Sequence, residues 1–346
     1  MSDTLVDLRS DTVTRPTAAM RRAMAEAEVG DDVYGEDPTM NRLEEYAAQL
    51  FEREASLFVP SGSMGNLISI KLSTRPGTEV ICEQKAHINQ YEMASMAAIA
   101  GAFPRPIPTP DGILSWEQIE REIRPKTYYF SQTALVSLEN THNMAGGTLY
   151  PPAVADEICD RSHQAGLRVH LDGARVFNAS VALGESVARL SRKFDSVMFS
   201  LSKGLGAPVG SMIVGSREFI TQARSARKML GGGMRQAGVL AAAALVALRE
   251  SPARLVEDHA NARRLAEALA ELPGVTLDPS SVRTNIVIFG VEKSKKSADK
   301  VCEALRGHGV LASGVSKHAV RMVTHMDVDR QGIERAIAAM KDALGA

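Results

Sequence analysis

Cysteine is scarce in this chain. Its 346 residues include three, Cys82, Cys159 and Cys302. These are too few and too scattered for a disulfide framework or a zinc site. They read as reduced thiols of a cytosolic protein, and no metal site is expected. An excess of either charge is also missing. Forty basic residues face 41 acidic ones, for a net charge of -1. That balance gives no support to a protein that grips nucleic acid through a basic stripe. Long apolar runs are absent as well. The longest candidate, residues 237–248, is Ala-rich, too short to span a bilayer, and reads as a packed helix. No membrane partner is expected. Residues 1–11 mix Asp, Thr and Arg and lack the apolar stretch of a signal peptide, so a cytoplasmic location is expected. The Gly-x-x-x-x-Gly-Lys-Ser/Thr loop of nucleotide-binding proteins does not occur, nor does any internal repeat or low-complexity tract.

What is present is a chain that is 45% hydrophobic, enough for one large or two moderate cores. Asp37-Pro38 reads as an N-cap followed by Pro at the first helical position. Buried strands are expected at residues 56–59, 79–82, 134–138, 167–171, 196–199 and 212–214. Helices are expected between several of them: one opened by Pro151-Pro152 and closed by Gly166, one over 217–229 and one over 235–249. Such alternation predicts an α/β fold with a mostly parallel sheet covered on both faces. The pattern changes near Ser251-Pro252. A helical stretch to Glu271, a strand at 285–289, a helix at 298–306, a strand at 320–323 and a helix at 331–344 predict a smaller α+β unit. The expected division is 1–250, including the N-terminal arm, and 251–346.

Chemistry concentrates where strands end. In Leu167-Arg-Val-His-Leu-Asp-Gly-Ala-Arg175, Asp172 closes a strand. In Asp195-Ser-Val-Met-Phe-Ser-Leu-Ser-Lys-Gly-Leu-Gly206, Lys203 lies just past one. Ligands of open parallel sheets bind beyond the carboxyl ends of strands. A Lys there can form an imine with an aldehyde, and an Asp can keep a ring nitrogen protonated so that the ring accepts electrons. Alone, each residue is more often a solvated loop Lys or a turn Asp; the pair changes the odds. Pro60-Ser-Gly-Ser-Met-Gly-Asn66 is a small-residue turn before a helical stretch. Gly62 and Ser63 could offer backbone N–H groups to a phosphate there, although such turns are also common caps. Gly231-Gly-Gly-Met-Arg-Gln-Ala237 places Arg235 on a flexible turn, either to reach an anion or simply as an exposed loop residue. His87 follows one strand, and His142, in Glu139-Asn-Thr-His-Asn143, follows another. Either could exchange protons near neutral pH, and His87 could stack on a cofactor ring.

With these residues in view, the sequence resembles the low-specificity L-threonine aldolases, β-eliminating lyases with the aspartate-aminotransferase fold of pyridoxal-phosphate enzymes. Leu8-Arg-Ser-Asp-Thr-Val-Thr14 is similar to the family's opening and Gly30-Asp-Asp-Val-Tyr-Gly-Glu-Asp-Pro38 to its next signature. Residues 59–66, 139–147, 170–177, 199–210 and 229–238 follow in order. The resemblance implies fold type I: a large domain with a seven-stranded sheet and a small C-terminal domain. It implies pyridoxal 5′-phosphate as cofactor, with Lys203 as its imine partner, Asp172 on the ring nitrogen and His87 stacked on the ring. Gly62, Ser63 and Ser202 would hold the phosphate, with Arg235 arriving from a neighbouring subunit; Arg175 would also border the cofactor.

The substrate is then a small amino acid. The resemblance places its carboxylate on Ser10, Arg175 and Arg321, Tyr34 of a neighbouring subunit over the site, and His142 near its hydroxyl. It implies a homotetramer and reversible cleavage of threonine or allo-threonine to glycine and acetaldehyde. The general base stays open between His87, His142 and water. Ser61-Gly-Ser63 stands where the family often has Ser-Gly-Thr, keeping the hydroxyl. The polar run Ile88-Asn-Gln-Tyr-Glu92 is expected to shape the side-chain pocket. Rival readings are another pyridoxal-phosphate reaction, such as transamination or a tryptophanase-like elimination, and a non-catalytic protein on the same fold.

Overall fold

A computed structural model describes residues 5–345; the first four residues of the segment read for a leader, and Ala346, lie outside the described residues. The central sheet has seven strands: β1 (Ala55–Val59), β2 (Glu79–Glu83), β3 (Phe103–Ile107), β4 (Thr133–Glu139), β5 (Arg168–Asp172), β6 (Ser196–Ser200) and β7 (Ser211–Gly215). Their spatial order is β1-β7-β6-β5-β4-β2-β3. β7 runs antiparallel to both neighbours, and the other pairings are parallel. β2, β6 and β7 are buried along their whole length, as apolar runs without alternation require when helices cover both faces.

The strand over 103–107 was absent from the sequence reading. Phe103-Pro-Arg-Pro-Ile107 lacks strand-like alternation, and proline cannot donate to a ladder. The strand is nevertheless possible because it lies at the sheet edge, with β2 as its one neighbour.

Local signals explain the helix starts. Asp37 caps the helix Pro38–Leu50 by accepting from the N–H groups of Thr39 and Met40, and Pro152 opens Pro152–Gln164. The expected helix break at Ser251-Pro252 is corrected by the structure: one helix of 33 residues, Gly238–Ala270, carries Pro252 inside it. An internal proline costs a helix about 3 kcal/mol or more. Here burial on both sides of it offsets that cost, since Leu245, Leu248 and Leu255 join the core of the large sheet while Leu265 and Leu269 join a second core. The Ser251 hydroxyl also donates to the Leu205 carbonyl at 2.7 Å. The same helix was expected to begin at Arg235, which instead lies in the turn before it.

The second core gathers around a three-stranded antiparallel sheet, Ser313–Gly314, Ala319–Val323 and Ile286–Gly290, with helices Ala298–Gly307 and Arg330–Leu344. The N-terminal arm joins it: Val6–Asp7 pairs in parallel with Val310–Leu311, and Leu8 is fully buried there. Ser10 and Asp11 are thereby brought toward the end of the large sheet. Among the described residues, no helix is long and apolar enough to cross a membrane.

Candidate active site

Four parallel strands, β2, β4, β5 and β6, end at one edge, and the segments that leave them carry His87, residues 140–143, Asp172 with Arg175, and Lys203. A cavity of about 370 Å³ opens there. It is lined by Ser10, Thr12, His87, Tyr91, Asn143, Arg175, Lys203, residues 313–315 and Arg321. Five residues singled out in the sequence, Ser10, His87, Arg175, Lys203 and Arg321, therefore meet in one place although they span the whole chain.

The Lys203 amine has its pKa lowered by burial first and by the Arg175 guanidinium second, against the pull of Asp11, Asp172 and Glu139. A lysine so placed is more readily neutral, the form that attacks an aldehyde. Asp172 is 2% exposed. Its Oδ1 accepts from the Ala174 N–H at 3.1 Å and its Oδ2 from Asn66 Nδ2 at 2.8 Å. These bonds fix the carboxylate at the end of β5.

Arg175 does not offer an open fork. Its Nε and Nη2 donate to the two oxygens of buried Asp11 at 2.8 and 2.7 Å, and its Nη1 reaches Asn143 Oδ1 at 3.2 Å. Burial works against the charge of Arg175, but Asp11 outweighs it and the pKa is raised. Asp11 in turn is held down to about 2: burial alone would raise it, and the Arg175 guanidinium more than reverses that. Arg321 donates to the same Asn143 oxygen at 2.9 Å. Its Nε is buried without a partner, a donor that a ligand oxygen would satisfy.

The start of helix Gly62–Ser73 suits a phosphate. Ser61 caps it by accepting from the Met64 N–H at 3.2 Å, which leaves the N–H groups of Gly62 and Ser63 at an electropositive terminus. A Cβ on Gly62 would come within 3.3 Å of Met198 and 3.5 Å of Ser211 Oγ. That hydroxyl is buried and has no partner. Ser202 Oγ makes one long bond, to the Gly210 carbonyl at 3.4 Å.

The histidines differ. His87 lines the cavity, its backbone N–H held by Glu139 at 2.7 Å and its Nδ1 2.8 Å from Glu92. His142 is fully buried and is not in the cavity lining. Its Nε2 lies 3.0 Å from Glu83, and its Nδ1 has no partner. Burial opposes its charge, but the Glu83 bond and the Glu139 carboxylate raise its pKa. Tyr34 is 74% exposed, and exposed Arg235 pairs with Asp31 at 3.0 Å; neither lines this chain's own cavity.

A family model described as beta-eliminating lyase matches residues 7–294. The chain belongs to the beta-eliminating lyase family. Within it, the chain is 45% identical over 344 residues to low-specificity L-threonine aldolase 1 of Arabidopsis thaliana, covering 98% of this chain and 96% of that one. It is 42% identical over 335 residues to the low specificity L-threonine aldolase of Escherichia coli strain K12, with 96% and 98% covered. The solved threonine aldolase of Leishmania major superposes with a TM-score of 0.82 at 21% identity, covering 98% and 99%. Serine palmitoyltransferase of Sphingomonas wittichii gives 0.76 at 18%, covering 98% and 87%. The fold expected from the motifs is the fold found.

Sequence reasoning passed over Tyr91 and Asn143 in this lyase's cavity lining and the side chains bonded to its residues. Asp11, Asn66 and Asn143 each lie inside a quoted motif, but as buried partners of the functional side chains rather than as the side chains themselves. Tyr91 and Glu92 sit in the polar run after His87 that had been assigned to the pocket only in general terms.

Proposed function

We propose that this beta-eliminating lyase is a pyridoxal-phosphate aldolase. It cleaves L-threonine, L-allo-threonine and related β-hydroxy-α-amino acids reversibly to glycine and an aldehyde such as acetaldehyde. The observation that carries this reading is the meeting, in one cavity, of a lysine with lowered pKa and two arginines, with the buried, doubly hydrogen-bonded Asp172 near enough to act on the lysine's charge. When bound, the cofactor supplies an aldehyde carbon for amines and a protonated ring that takes up the electron pair of the broken Cα–Cβ bond.

The chain's own residues do the rest. Lys203 Nζ would hold the cofactor through its aldehyde carbon and yield that place to a substrate amine. Asp172 would hold the ring nitrogen, where a charge-assisted bond is roughly twice as strong as a neutral one. Gly62, Ser63 and Ser202 hold the phosphate. Ser10, Arg175 and Arg321 hold the substrate carboxylate, Arg175 with the N–H groups that Asp11 leaves free. That grip would fix which Cα bond the substrate presents to the cofactor. A base, either His87 at the cavity wall, or buried His142 through its unpartnered Nδ1, or a water, takes the β-hydroxyl proton. Such a group typically contributes about 10²–10⁴ in rate.

Exposed Arg235 and Tyr34 serve a neighbouring subunit's site, which makes the working form an oligomer, a homotetramer. Its place is the cytoplasm and its metabolic role threonine breakdown with glycine formation. The test runs L-threonine, L-allo-threonine, phenylserine and serine in parallel. Equimolar glycine and aldehyde are expected from the first three. Pyruvate and ammonia from serine, or amine transfer to a keto acid at a comparable rate, would overturn the aldolase reading.

A further inference from the structure

The loop after β2 carries a second carboxylate to which the proposed reaction gives no task. Glu92 is 5% exposed, and a buried carboxylate needs donors. Two reach the same oxygen: Oε1 lies 2.8 Å from His87 Nδ1 and accepts from Asn66 Nδ2 at 2.8 Å. The same Asn66 nitrogen donates to Asp172 Oδ2. On its other side, Asn66 Oδ1 lies 3.0 Å from His170 Nε2. An amide between two carboxylates must turn its NH2 toward them, so its oxygen accepts and His170 carries its proton on Nε2. His170 Nδ1 then accepts from Ser196 Oγ at 2.9 Å. Burial keeps His170 neutral, its pKa pushed down to about 4. The Asn66 amide thereby orders the chain from His170 to Glu92 and Asp172.

We propose that Glu92 is a positioning residue for His87: it holds the imidazole with a proton on Nδ1 and leaves Nε2 as the atom that exchanges protons in the cavity, while Asn66 braces Glu92 to Asp172. The proposal rests on the reading of this cavity as the aldolase site. Four other groups face His87. Tyr91 comes from its own loop, Glu139 from the end of β4, Asp172 from β5 and Lys203 from beyond β6. Burial and Lys203 oppose a charge on the ring. The Glu92 bond and the Asp172 carboxylate outweigh them and raise the pKa of His87.

Glu92→Gln isolates the charge. Both bonds end on one oxygen, and a glutamine Oε1 can accept both. In the purified holoprotein, the His87 midpoint read from isotope-labelled imidazole resonances should fall by about one pH unit or more, with the Nδ1–H tautomer kept. The pH profile of kcat/KM should shift with it. Glu92→Asp, which keeps the charge, should recover part of the shift, and Glu92→Leu should lose the tautomer preference. A midpoint unmoved in Glu92→Gln overturns the proposal, whatever happens to thermal stability and whether or not Glu92→Leu folds. Because the titration reads His87 itself, the two readings fail separately. Shifts as expected in a protein that cleaves no β-hydroxy amino acid would sink the function and leave the Glu92–His87 pair standing. Normal cleavage with unmoved titration would do the reverse.

Discussion

Asp11→Asn should weaken both the fold and the grip on substrate, and the structure sets the size of each effect. Asp11 is fully buried, and its two oxygens take two N–H groups of Arg175 and one of Asn285. An asparagine keeps one acceptor and turns an NH2 toward donors. Its folded pKa of about 2 lies below the ordinary value of 3.8. A depressed carboxylate contributes stability that is complete above the unfolded pKa and is lost as pH falls through the folded one, here between about pH 4 and pH 2. At about 1.4 kcal/mol per unit, the shift corresponds to about 2 kcal/mol at neutral pH. Breaking a buried pair by removing one partner costs about 3–5 kcal/mol, so the loss should fall between about 2 and 5 kcal/mol. Urea unfolding at pH 7, at one fixed protein concentration, would show it as a lower midpoint. Arg175, no longer braced, should also let KM for threonine rise about tenfold, the equivalent of about 1.4 kcal/mol of lost binding. An unchanged midpoint together with an unchanged KM would refute the claim that Asp11 presets Arg175.

Asp172→Asn should keep the fold and the cofactor but lower kcat severely, because an amide cannot stabilise a protonated ring nitrogen as an anion does; near-normal turnover would mean that the electron sink is arranged differently. Arg321→Lys should raise KM strongly with less effect on kcat, since one ammonium cannot replace a planar fork; a KM within twofold of the parent, about 0.4 kcal/mol, would remove Arg321 from the carboxylate site. Mixing Lys203→Ala and Arg235→Ala subunits and reassembling them should restore part of the activity if sites are shared. Mixed oligomers without any recovery would place Arg235 outside its neighbour's site.

Much of this was legible because strand ends announce themselves. Asp172 and Lys203 each stand at or just past the end of a β-rich segment, residues 167–171 and 196–199, and a parallel sheet brings such ends to one edge whatever their separation in sequence. The edge strand over Phe103–Ile107 was hidden because its prolines are tolerable only where a ladder stops. The long helix through Pro252 was hidden because tertiary burial on both sides, invisible locally, outweighs a local breaker. In the site, the groups proposed to touch ligands have recognisable contexts, whereas Asp11, Asn66, Glu92 and Asn143 bond to other side chains. Their roles depend on pairings between distant segments, such as Asp11 with Arg175, that no spacing rule encodes. The fork of Arg175 shows the consequence: its chemistry suggested a free carboxylate clamp, and the fold had already engaged two of its nitrogens with Asp11.

The central claim is that Lys203 carries the cofactor from which the bond-breaking chemistry follows. Borohydride reduction of the purified protein, followed by peptide mapping, tests it most directly. The protein should be yellow, its visible band should disappear on reduction, and pyridoxyl mass should appear on the peptide containing Lys203. Lys203→Ala should show neither band nor adduct and should lose nearly all glycine release from threonine. An adduct on another lysine, or a Lys203→Ala variant that still cleaves threonine at the parent rate, would contradict it.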